Sequence, residues 1–93
     1  HIGLDRIIEN VIERLGKVEQ VYLAGKFARG LDSQIIDLIF IGDIDKEFLI
    51  KLIDKAEQVI NRKIRYLIYQ DEEFKKIEWI KGDPEPVLLW SRD

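Results

Sequence analysis

The residues best placed to do chemistry lie in one stretch, residues 25–42, which read GKFARGLDSQIIDLIFIG. Asp37 stands in the middle of a run of Ile, Leu and Phe. An ionised carboxylate among apolar side chains is costly unless a cation pairs with it or it binds a metal. Just upstream, Gly25 and Gly30 bracket a loop that carries Lys26 and Arg29. Backbone N–H groups in such a loop, with basic side chains beside them, suit a phosphate or another anion. Two chemistries are therefore in view: a carboxylate holding a divalent cation, and a basic loop holding an anion.

Other polar groups read more simply. GDID at 42–45 looks like a pair of acids, yet it sits after the apolar run, where Asp43 or Asp45 is expected to cap a helix and complement its dipole. DEEFKK at 71–76 reads as a solvated helix face with favourable charge spacing. Ser33 has no histidine partner that would make it a nucleophile, and His1, the single histidine, is assigned nothing.

The elements that must position these groups follow from periodicity. Ile2, Leu4, Ile7, Ile8, Val11, Ile12 and Leu15 recur at helical spacing, and Gly16 is a stop signal. VEQVYLAG at 18–25 switches to alternation, with Val21 and Leu23 on one side and Tyr22 and Ala24 on the other, and predicts a strand. Residues 26–34 read as a loop, and IIDLIFIG at 35–42 as a strand covered on both faces. Within it Ile35, Asp37, Ile39 and Ile41 share one face, and Ile36, Leu38 and Phe40 the other. A second helix follows, with Phe48, Leu49, Leu52, Ile53, Ala56, Val59 and Ile60 as its buried stripe. KIRYLIYQ at 63–70 predicts a third strand and residues 71–82 a short helix. Val87–Trp90, behind two prolines, predicts an edge strand.

Bulk properties narrow the class. The chain has 93 residues, the size of one small domain, with 46% hydrophobic and 35% charged residues, which suits a folded protein and argues against disorder. A net charge of −3 provides no overall pull toward nucleic acid. The absence of cysteine excludes disulfides and Cys-ligated zinc, and fits a reducing compartment such as the cytoplasm. No apolar run approaches the ~20 residues of a membrane span, so no membrane partner is expected. Methionine is absent even from position 1, so a fragment of a longer chain is expected.

AGKFARGLDSQIIDLIFIGDID, residues 24–45, resembles the signature of the minimal nucleotidyltransferase domain, the small relative of DNA polymerase β. Gly25, Ala28, Arg29, Gly30, Asp37 and Leu38 fall on its pattern, and the element order agrees over roughly residues 2–70. The resemblance implies an α/β (α+β) fold: a small mixed β-sheet backed by two main helices. It is closer still to domains that form the C-terminal part of winged-helix, ArsR-like regulators. That implies a winged-helix domain N-terminal to this one, DNA contact only through it, and a homodimer.

In that family two magnesium ions, held by three carboxylates, clamp the reacting oxygens of a phosphoryl group. Two of the acids lie one residue apart on a strand and the third comes from a neighbouring strand. The resemblance puts Asp37 at the second position, but Ile35 at the first and Arg65 at the third, with Lys26 where a phosphate-holding serine is usual. A lone carboxylate beside cations is a poor magnesium site but a good ion pair. The expectation is therefore that Asp37 is buried and neutralised by Arg65, Lys26 or both, that there is no catalytic residue and no metal or cofactor, and that Gly25, Lys26, Arg29, Gly30 and Arg65 form any anion or nucleotide site. The favoured role is a catalytically degraded regulatory or oligomerising domain of a prokaryotic transcription regulator. Two alternatives stand beside it. One is an active transferase of a nucleotidyl group from ATP, with Mg2+ on Asp37 helped by Asp32 or Asp43. The other is an antitoxin-like module that binds a helical partner protein. Tyr66, Tyr69, Trp79, Val87–Leu89 and Trp90 concentrate apolar surface that either completes the core or docks a second copy or the missing domain.

Overall fold

β-branched and aromatic runs separated by glycines dictate most of the strands, and the sheet assembles as their alternation requires. The computed structural model describes residues 10–77 and 85–93. Residues 10–14 are helical (α1). There follow β1 (Gly16–Ala24), α2 (Gly25–Ala28), β2 (Ile35–Ile44), α3 (Lys46–Ile60), β3 (Lys63–Tyr69), α4 (Asp71–Lys75) and β4 (Val87–Ser91). The sheet order is β3-β2-β1-β4. β1 runs antiparallel to both β2 and β4, while β2 and β3 are parallel, joined by the crossover helix α3.

One face of the sheet holds the core. Ile12 on α1, Leu15 just after it, Val18 and Val21 on β1, Phe40 on β2, and Leu49 and Ile53 on α3 are buried together, with Ile64, Tyr66 and Ile68 of β3 and Trp90 of β4 packed against them. Truncating a side chain as buried as Leu49 removes about 2–5 kcal/mol. Asp37, Ile39 and Ile41 belong to the opposite face, where Phe74 of α4 stacks against Tyr22 and Tyr69 with ring centroids 4.9 and 6.1 Å apart.

Several expectations need amending. Residues 2–9 and Trp79 lie outside the described residues. The 26–34 loop begins as a single helical turn rather than irregular chain. β2 continues two residues past Gly42, so Asp43 pairs with Lys17 inside the sheet and does not cap α3. Asp45 is the cap, its Oδ1 accepting from the Phe48 N–H at 3.2 Å. That extension is possible because Gly42 takes φ +127°, where a Cβ would collide with the Lys17 carbonyl. Val59, assigned to the buried stripe, is 85% exposed, because it lies at the margin of that stripe on the last turn of α3. The strand β2 is covered on both faces only around Ile39–Ile41; Ile35 at its start is exposed.

Candidate functional site

Parallel pairing of β2 with β3 sets Asp37 directly opposite Arg65, while antiparallel pairing with β1 sets Ala24 on its other side. Cross-strand partners project from the same face, so the carboxylate and the guanidinium meet. Arg65 Nε donates to Asp37 Oδ1 at 2.7 Å, and Nη2 donates to Oδ2 at 3.1 Å. This is a two-pronged, charge-assisted contact that engages both carboxylate oxygens. The hydrogen bond to Asp37, followed by its charge, holds the Arg65 guanidinium above its ordinary arginine pKa.

The pair is not buried. The Asp37 side chain is 26% exposed and that of Arg65 is 68% exposed. The expectation of a buried carboxylate is corrected here: Asp37 precedes the doubly covered part of β2 and stands at the rim of an open cleft. The cleft has a volume of about 600 Å3 and is walled by Ala24, Gly25, Ile39 and Leu67 together with the ion pair.

Gly25 shapes that cleft. It has φ +68°, and a Cβ there would lie 2.5 Å from Asp37 Oδ2. A glycine is required on both counts, because the chain must leave β1 in a left-handed turn and pass close to the carboxylate. The turn then runs into Lys26 and Arg29, both exposed, and the loop closes through Leu31 N–H donating to the Lys26 carbonyl at 3.0 Å. Among the described residues neither the Lys26 nor the Arg29 side chain has a hydrogen-bond or ion-pair partner, so the expected help of Lys26 in neutralising Asp37 is absent and Arg65 does it alone.

The residues present do not fit a magnesium pair. Ile35 shares the face of Asp37 but carries no ligand, and both Asp37 oxygens are taken by a cation. The two acids named as helpers are engaged elsewhere. Asp32 accepts from Arg62, and Asp43 accepts from Gln70 Nε2 at 3.0 Å, about 20 Å along the strand from Asp37 at the usual rise per residue. Among the described residues no three carboxylates or histidines are grouped to share a cation. Nor is any described helix long and apolar enough to cross a membrane.

Arg62 was not singled out by the sequence reading. Its Nη2 lies 3.1 Å from Asp32 Oδ1, its Nε donates to the Ser33 carbonyl at 3.1 Å, and its guanidinium carbon lies 5.7 Å from the Phe27 ring centroid. The one signal that could have found it is register: with Ile35 opposite Lys63, residue 62 must fall beside the end of the loop.

No protein-family model matches the chain. It is 31% identical over 67 residues to "Putative protein adenylyltransferase MJ0604" of Methanocaldococcus jannaschii, covering 69% of this chain and 67% of that protein. Two crystal structures resemble it. One is described as "a putative nucleotidyltransferase from Sulfolobus solfataricus", with TM-score 0.54 and 24% identity over 96% of this chain and 78% of that one. The other is a mutant of the toxin-antitoxin MntA-HpeT, with TM-score 0.56 and 14% identity over 95% of this chain and 71% of that one. At these identities both structures speak for the fold.

Proposed function

Since the chain belongs to the nucleotidyltransferase-fold family of that archaeal relative, we propose that it is a catalytically degraded member, serving as the regulatory and oligomerising domain of a prokaryotic transcription regulator. One observation carries the loss of catalysis. The carboxylate that the family pattern assigns to metal has both oxygens bonded to Arg65, which itself replaces another of the acids. Internal positive charge does here what a divalent ion does in working relatives, so no cofactor is needed. The regulator assignment is supported by the ARG…IIDL…GDID pattern of residues 28–45, and implies a winged-helix reader N-terminal to this domain, with DNA bound through that reader. On this reading an anionic effector binds at Gly25, Lys26, Arg29, Gly30 and Arg65, supported by the exposure of Lys26 and Arg29 and by Gly25 and Arg65 lining the cleft.

Calorimetric titration with ATP and magnesium, followed by mass spectrometry, tests the reading. It predicts no magnesium-dependent binding and no nucleotidylated product on the chain or on a partner. Magnesium-dependent binding with a nucleotidylated product would overturn it in favour of an active transferase, the reading that the name of the archaeal relative favours.

A protein-binding module is the second reading, favoured by the likeness to a toxin-antitoxin structure and by the exposed Val87, Leu88 and Leu89 of the edge strand β4. Gel filtration alone and with the product of the neighbouring gene separates the two. The regulator predicts a homodimer, the module a heteromeric species.

A further inference from the structure

We propose that Arg62 is the positioning residue of the site, a crossbar that holds the 25–34 loop in its shape without a ligand. The inference deepens the reading above, because the loop it holds is the one read as facing an anion.

The last residue of the loop, Gln34, is tied to β3 by the Lys63 N–H at 2.9 Å, and the rest of the loop has fewer ties to the frame. Within it, Arg29 N–H donates to the Lys26 carbonyl, Gly30 N–H to the Phe27 carbonyl and Leu31 N–H to the Lys26 carbonyl, each at 3.0 Å. These bonds close one turn on itself and do not fasten that turn to the sheet. Arg62 does so from outside. Its ring-facing contact with Phe27 grips the start of the loop, while its two N–H bonds to Asp32 and Ser33 grip the end. The same Asp32 oxygen also accepts from Ser33 N–H at 2.9 Å, and Ser33 Oγ accepts from Ile35 N–H at 3.1 Å, so the grip is passed on to the first residue of β2.

The crossbar is itself anchored. Arg62 lies between Asn61, the left-handed cap that ends α3, and Lys63, the first residue of β3. Its backbone therefore belongs to the frame and not to the loop. A guanidinium suits the task because its planar fork offers several donors in fixed directions and stacks on an aromatic face, which an ammonium does not match. Among the described residues, every hydrogen-bond, ion-pair and ring contact of its side chain is to the loop, so its loss should loosen the loop and leave the core intact. A loop held in advance also spares a ligand the cost of ordering it.

Backbone amide hydrogen exchange, read residue by residue without ligand, tests this. In Arg62→Ala the amides of Arg29, Gly30, Leu31, Ser33 and Ile35 are expected to exchange about tenfold or more faster, while those of Leu23, Phe40 and Ile53 keep their rates. Arg62→Lys, which keeps the charge but not the fork, should recover part of the protection. Asp32→Asn, which leaves Arg62 in place, should give a smaller acceleration in the same amides, and serves alone if Arg62→Ala does not fold. Unchanged loop amides in the variants that fold, or one uniform acceleration across the whole chain, would overturn the proposal. Because no ligand is present, a site that binds no anion leaves this outcome standing, and a loop that stays closed defeats the crossbar whatever the site binds.

Discussion

Asp37 and Arg65 face each other across the one parallel strand pair of the described sheet, and the guanidinium spans both carboxylate oxygens at 2.7 and 3.1 Å. Register puts them there: the residue that the family pattern makes a third carboxylate is the direct cross-strand partner of the second. Placing acid at residues 35 and 65 should therefore build a cation site around Asp37. In the double variant Ile35→Asp with Arg65→Asp, manganese titration is expected to show a dissociation constant of ~1 mM or tighter, within the range of all-oxygen sites. The parent chain should show no saturable binding.

Asp37→Ala separates an exposed ion pair from a core contact. Both partners reach solvent, so the melting temperature should fall only slightly, and less again at high salt. Leu49→Ala, at a fully buried position, is expected to cost about 2–5 kcal/mol in denaturant unfolding. If the aspartate variant proved as damaging as the leucine one, the pair would be holding the fold together.

Gly25→Ala forces a Cβ against Asp37 Oδ2 in a left-handed conformation, and is expected to cost about 1–2 kcal/mol for the backbone alone. The steric part should vanish when Asp37→Ala is made as well. A double-mutant cycle by thermal unfolding should therefore show the pair of changes costing less than the sum of the singles.

The hydrogen bond and charge of Asp71 hold the Lys75 ammonium above its ordinary pKa. A group raised in this way stabilises the fold fully below its unfolded pKa, and that contribution is lost as pH rises through the higher folded value. The loss therefore falls in the alkaline range, and stability near neutral pH should not report it. Titration of Lys75 followed by NMR is expected to move down in Asp71→Asn, with the exposed pair 2.8 Å apart in the parent chain as the cause.

Much of this was legible from residue order alone. Alternation in VEQVYLAG, the apolar run around Asp37 and the 3.6-residue stripe from Phe48 to Ile53 each located an element, because burial on one face leaves a periodic trace. The partner of Asp37 was legible because aligning two strands on a family pattern also aligns their side chains. Depth was not. Whether Asp37 is buried depends on what lies over the rim of the sheet, and neither α2 nor the cleft beside it leaves a periodic signal. Arg62 was hidden for a related reason: one long polar side chain reaching back about thirty residues has no local pattern. Nor could spacing tell Asp43 from Asp45 as a cap, since the outcome turned on a left-handed Gly42 that let the strand run on.

The pairing of Val21 with Trp90 has a consequence for how the molecule is made. β1 emerges from the ribosome before β2 and finds it within a short loop, yet its other side stays open until β4 has been synthesised. Until then a nascent chain presents a raw border of amide groups to its surroundings. The interval between translating Ala24 and translating Val87 is thus when this small sheet is most vulnerable to joining the wrong neighbour.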